Sequence, residues 1–260
     1  MSEVLFSAEP PLAFLTFNRP AARNALTWEM YQGLLNACET VDARPDIRVL
    51  IVRGAGGKAF AAGTDISQFA TFRSAEDGID YERRLDAAID RLERVSVATI
   101  AQVEGVATGS GCVIAFTCDL RVCSPDARFG VPIARTLGNC LSIANSARMM
   151  DLLGPARFKD LIFTARLMTV EEVASVGLVT RVADTDRVDA ATRDLAMTIA
   201  AHAPLTIAAT KEMVRRIQER RRPVAERGHD LIGRCYTSAD FREGVAAFLA
   251  KRPPRWTGVL

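Results

Sequence analysis

The sequence predicts an α/β domain with parallel strand pairing, followed by a helical C-terminal region. Three observations carry this prediction. Apolar segments of strand length alternate with segments of helical spacing over the first two-thirds of the chain. Short glycine-bounded joints separate them, as in "RVLIVRGAGG" and "QVEGVATGSG". From about Thr185 onward the pattern is almost wholly helical, punctuated by Pro204 and Pro223. In chain order, "LAFLTFNRP" (Leu12 to Pro20) reads as a strand ending in a turn. "LTWEMYQGLLNACETVDA" (Leu26 to Ala43) has helical spacing, with Thr27 as N-cap and Met30 and Tyr31 in its first turns. "RVLIVRG" is a continuous apolar strand stopping at Gly54, followed by the loop "GAGGKAFAAGTDI". "YERRLDAAIDRLERV" (Tyr81 to Val95) is an amphipathic helix with its charges on one face. "VATIAQVEG" is a buried-type strand, "GCVIAFTC" a helix and "DLRVCS" a strand. The division falls at a core of residues 1–195 and a helical region of residues 196–260.

Composition narrows the class. The chain has 260 residues, 49% apolar and 25% charged, as in ordinary globular domains. A net charge of +2 offers nothing to a nucleic acid, and no apolar run is long enough to span a bilayer, so neither nucleic acid nor membrane is expected as a partner. The start, "MSEVLFSAEPP", has no basic region or long apolar stretch, so no signal peptide is expected. Six cysteines without a CxxC pair suit reduced thiols, and the expected location is cytoplasmic. Two isolated histidines, His202 and His229, predict no metal site.

Three motif readings fail on spacing. "GAGGK" would put the first glycine of a phosphate loop at Val52, with Ala59 where Ser or Thr is needed. "GSGCVI" puts Ile114 at the third glycine of a dinucleotide fingerprint. Ser110 lacks the spacing of a nucleophile elbow. What remains is a pair of similar joints, "VRGAGGKAFAAGTDI" and "QVEGVATGSGC". Each is a strand running into small residues that let a ligand approach the backbone. Two free N–H donors meeting at one point make an oxyanion hole, and two tight strand-to-helix turns are the alternative.

These segments resemble the crotonase superfamily, the enoyl-CoA hydratase/isomerase family. "NRPAARNAL" is similar to the family's N-terminal strand and turn, "KAFAAGTDI" to its first oxyanion loop, and "GVATGSGCVIAFTCDLRVCSPDARFGVP" to its central signature. "TVEEVASVGLVTRV" and "EGVAAFLAKRPPRWTG" are similar to its later segments. The resemblance implies a crotonase-like spiral of ββα repeats with a helical C-terminal oligomerisation region, and assembly as homotrimers or hexamers. It implies an acyl-CoA thioester as partner, with coenzyme A as part of the substrate and no tightly bound cofactor. The backbone N–H groups of Thr64 and Ser110 match the oxyanion donors. Arg23, Ala25, Ala62, Asp65, Ile66, Gly109, Val113, Pro132 and Ile133 match substrate-site positions, and Phe248 and Lys251 match C-terminal positions that approach the CoA of the same or a neighbouring subunit.

The chain departs from the family pattern at the two hydratase glutamates. One position is Val113 and the other, after the proline of "FGVP", is Ile133. Adding water needs a group to hold it and one to deliver a proton, and neither side chain does either. Ser110 replaces a glycine but keeps its N–H. Substitute groups are sought in "ARTLGNCLS", among Arg135, Thr136, Asn139, Cys140 and Ser142, with Glu104 and Asp65 on the other turns; Glu104 reads rather as facing solvent or capping a turn, and Asp119 as structural. Three functions follow: an acyl-CoA enzyme using the oxyanion hole for decarboxylation, thioester hydrolysis or isomerisation; an enoyl-CoA hydratase with other acid–base groups; or an acyl-CoA-binding protein without catalysis.

Overall fold

The computed structural model describes residues 2–259. Among the described residues ten strands form two sheets: β1 (Val4–Glu9), β2 (Leu12–Phe17), β3 (Val49–Gly54), β5 (Ala98–Val103), β7 (Leu120–Cys123) and β10 (Arg181–Val182) lie side by side in that order in the larger one. Only β1 and β2 pair antiparallel there. The smaller sheet runs β4 (Ala59–Ala61), β6 (Val106–Thr108), β8 (Arg128–Gly130), β9 (Met168–Thr169), with the first three parallel. Successive repeats therefore send one strand to each sheet and then return through a helix, which is the ββα spiral expected. The helices are α1 (Trp28–Asp42), α2 (Ala75–Glu93), α3 (Ser110–Thr117), the single turn α4 (Ile133–Thr136), α5 (Ile143–Thr164), α6 (Val170–Ser175), α7 (Val188–Ala200), α8 (Pro204–Glu219), α9 (His229–Tyr236) and α10 (Ala239–Leu249).

The strands read as continuous apolar runs because both faces of the larger sheet are covered. One face of β2, β3 and β5 (Leu12, Phe14, Val49, Ile51, Ala98, Ile100) packs on Val188, Leu195 and Ala196 of α7. Alternate residues (Ala13, Leu15, Phe17, Leu50, Val52, Ala101, Val103) face the main core, closed by α1, α2 and α3. The division placed at residue 195 falls inside α7. Local signals hold where chemistry is strong: Thr27 caps α1 by accepting from the Met30 N–H, and Ser74 with Asp77 forms a capping box on α2. One expectation is corrected. The charges of α2 are not all on an outer face, because Glu82 is buried. Its carboxyl oxygens accept from the Tyr236 hydroxyl and the Ser142 N–H, which supply the partners that water would otherwise provide.

Candidate active site

The two small-residue turns lie side by side for a topological reason. β4 pairs in parallel with β6, so Ala62–Asp65 and Gly109–Ser110 leave the same edge of the smaller sheet. A Cβ built on Gly109, whose φ is +56°, would sit 3.3 Å from Gly63 Cα. At Gly111 it would sit 2.2 Å from the Ala61 carbonyl oxygen, so only glycine allows this approach. Among the described residues, neither the Thr64 N–H nor the Ser110 N–H donates to a protein acceptor. Ser110 is the first residue of α3, so its N–H is one of those a helix leaves free. Thr64 bridges Leu26, but the bridge uses the Gly63 carbonyl and the Asp65 N–H.

The site residues named from the sequence fall into two groups. Residues 23–26 run alongside residues 62–65: Ala62 N–H donates to the Arg23 carbonyl at 3.1 Å, and Leu26 N–H to the Gly63 carbonyl at 2.7 Å. Arg23, Ala25, Ala62, Thr64, Asp65 and Ile66 are thereby brought together, with Arg23 exposed. Asp65 caps the 3-10 turn Ile66–Thr71, accepting from Ser67, and pairs with Arg19 at 2.9 Å. These hydrogen bonds and the Arg19 charge hold its carboxyl below the usual range against the opposing effect of burial. Phe248 and Lys251 are exposed at and just past the end of α10. The start of α10 packs on the 3-10 turn, with the Phe69 and Phe241 rings 5.8 Å apart.

Val113 and Ile133 are buried, Val113 on α3 and Ile133 opening α4 after Pro132. Val113, Phe116 and Thr117 share the face of α3 that lines a cavity of about 480 Å³ under α7 and α8. Of the substitutes sought after Pro132, Arg135 is exposed, Thr136 donates to the Pro132 carbonyl, and Ser142 caps α5. Cys140 donates to the Leu231 carbonyl, and its contact with Cys235 and its burial raise its pKa, so it keeps its proton. Asn139 donates to the Tyr236 hydroxyl at 3.0 Å, and its carbonyl oxygen is buried without a partner. Glu104 accepts from Gln102, and Asp119 from Thr99 and Lys211, both structural ties.

Sequence reasoning missed the polar groups that do converge here. The Tyr31 hydroxyl lies 2.7 Å from Thr64 Oγ1 and donates to Ser110 Oγ at 2.7 Å. The Tyr81 hydroxyl lies 2.6 Å from Thr64 Oγ1, and the Thr64 and Ser110 hydroxyls are 3.3 Å apart. All four residues are buried. Burial pushes Tyr31 up to about 12 and Tyr81 well above its ordinary value, so both phenols stay protonated. Trp28, Phe69, Phe72, Tyr236 and Phe241 close the aromatic shell around them. On α2, next to Tyr81, burial pushes the Glu82 carboxyl up to about 8. The surroundings of the two turns therefore offer free backbone donors and neutral hydroxyls. The carboxylate of the turns themselves, Asp65, is engaged by Arg19 and Ser67.

Residues 8–259 match the family model described as enoyl-CoA hydratase/isomerase. The 2,3-dehydroadipyl-CoA hydratase of Escherichia coli K12 is 32% identical, over 99% of this chain and 100% of that one. The crystal structure of an enoyl-CoA hydratase/carnithine racemase from Magnetospirillum magneticum aligns with a TM-score of 0.80 at 36% identity, over 99% and 96% of the two chains. A methylmalonyl-CoA decarboxylase in complex with 2-nitronate-propionyl-CoA aligns with a TM-score of 0.90 at 28% identity, over 98% of each. Matched from end to end by the family model and by such relatives, the chain belongs to the enoyl-CoA hydratase/isomerase family of the crotonase superfamily.

Proposed function

We propose that this protein acts on an acyl-CoA thioester by holding its carbonyl oxygen between the Thr64 and Ser110 N–H groups, and that its reaction is decarboxylation next to the thioester. The observation that carries the reading is the combination of two unpartnered N–H donors on touching turns with apolar Val113 and Ile133 at the hydratase positions. Charge that develops on the thioester oxygen is stabilised by donors already in place, and removing one such donor costs about 3–4 kcal/mol of barrier. Decarboxylation needs no base. The bond to the carboxylate breaks, its electron pair passes to the thioester as an enolate, carbon dioxide leaves, and the α-carbon takes one proton from a neutral donor. The likeness in fold to a methylmalonyl-CoA decarboxylase supports the same reading.

Hydration is the second reading, favoured by relatives that carry hydratase names. It requires an acid–base pair other than residues 113 and 133. The proposal extends to assembly as a trimer or a pair of trimers. α8 has no buried residue and exposes Leu205, Met213, Val214 and Ile217, an apolar face that a second copy of the chain would cover.

The test is mass spectrometry of saturated, 2-enoyl, 3-enoyl and α-carboxylated CoA thioesters incubated with the protein in heavy water. Loss of CO₂ with one deuterium placed on the α-carbon is expected. Addition of water to the 2-enoyl thioester without any loss of CO₂ would replace this reading with the second. Tight binding with no conversion of any thioester would point to a binding protein.

A further inference from the structure

The residues whose N–H groups are assigned to the thioester oxygen both carry hydroxyl side chains, which backbone donation does not use. Those hydroxyls are engaged elsewhere, and their common partner is Tyr31. Tyr31 sits on α1, just after the Leu26–Thr27 segment that runs beside Thr64. Its hydroxyl spans two turns from different repeats of the spiral. Beyond the last strand pair, Ala61 with Ala107, no backbone hydrogen bond among the described residues joins residues 62–65 to residues 108–110. Each turn is tied to a third party instead: Ala62, Gly63 and Asp65 to residues 23–26, and Gly109 to the Gly130 carbonyl. The pairing of β4 with β6 is itself irregular, with a register shift between Ala59 and Ala61.

We propose that Tyr31 is a positioning residue that locks the two backbone donors into one geometry, by bridging the side chains of Thr64 and Ser110; this rests on the reading of those donors as the thioester-oxygen site. The proton count closes. Tyr31 donates to Ser110; assigning Ser110 as donor to Thr64, Thr64 to Tyr31 and Tyr81 to Thr64 lets four protons serve the four contacts. A ring of hydroxyl contacts at 2.7, 2.7 and 3.3 Å in an apolar shell has few alternative arrangements, because breaking a link leaves a buried hydroxyl one partner short. Fixed dipoles that need no reorganisation as charge develops are what oxyanion stabilisation requires. Tyr81 braces the Thr64 side alone.

The test compares Tyr31→Phe with wild type on the fastest reaction of the thioester panel. The expected result is a fall in kcat of about 10- to 100-fold with KM within about two-fold, less than the 10²–10³ that deletion of a whole donor costs. Affinity for a 2-nitronate CoA thioester, whose planar anion shares part of its negative charge with the thioester oxygen as an enolate does, should fall at least about three-fold. Affinity for an unreactive saturated CoA thioester should not move. In a Thr64→Ala, Ser110→Ala background, which retains both N–H groups but has nothing to bridge, Tyr31→Phe should change kcat by less than two-fold. Melting curves on all variants separate folding loss from misalignment. Wild-type kcat and nitronate affinity in Tyr31→Phe would overturn the proposal, as would an equal loss in both backgrounds. A wild-type protein that neither turns over the panel nor prefers the nitronate would sink the functional reading itself, a distinct outcome.

Discussion

Val113 lies one helical turn beyond Ser110, and Ile133 opens the short turn after Pro132. Both side chains are buried, so a water molecule beside the thioester would find no carboxylate at either place. Ile133→Glu alone is therefore expected to leave crotonyl-CoA hydration at the wild-type baseline, because Val113 still leaves the water half-held. A coupled spectrophotometric assay checks this, and strong hydration by the single variant would contradict it. At this scale the sequence was informative where chemistry depends on main chain or on a resemblance. The small residues of "AAGTD" and "TGSGC" marked the two turns, and the resemblance marked the Thr64 and Ser110 N–H groups and residues 113 and 133. Tyr31 and Tyr81 were not legible. On α1, Tyr31 has the helical spacing of an ordinary core aromatic, and its partners lie 33 and 79 residues away.

α2 carries two consecutive residues with opposite tasks. Tyr81 points its hydroxyl to Thr64, while Glu82 turns to Tyr236 and the N–H of Ser142. Glu82 reads in sequence as one more charge on a solvated face, since nothing local announces a partner 154 residues downstream. Burial raises its pKa from 4.5 to about 8, and burial likewise raises Asp86 to about 6. A group whose folded pKa is raised binds its proton more tightly in the folded chain. The stability it contributes is full below about 4.5 and is lost as pH rises through about 8. Urea unfolding at a series of pH values should show wild type losing about 1.4 kcal/mol per pH unit relative to Glu82→Gln between roughly pH 5 and 8. Parallel curves for the two proteins would contradict this. Other elements were harder to read for a different reason. Strands of two or three residues, such as β4, β6 and β9, are too short to show a period, so the second sheet was implied only by the resemblance.

Across the whole molecule, the spiral explains why two turns 46 residues apart meet. Each repeat places its second strand in the smaller sheet, parallel to the one before, so the following turns emerge at one edge. Neighbouring repeats each supply one donor, α1 supplies the hydroxyl between them, and α2 with the C-terminal helices closes the aromatic shell. The central claim is that the backbone N–H of Ser110 holds charge on a thioester oxygen. Its most direct test compares Ser110→Pro with Ser110→Ala. Proline is well tolerated at the first position of a helix, where the N–H has no helical partner, so it removes the donor at low cost to α3. Alanine retains the donor and removes only the hydroxyl. The measurement is kcat for the fastest reaction of the thioester panel, with circular dichroism confirming that both variants fold. The account predicts a loss of 10²- to 10³-fold for Ser110→Pro and, for Ser110→Ala, a loss at least ten-fold smaller. Equal activity in the two variants would contradict it, because the N–H would then carry no part of the barrier.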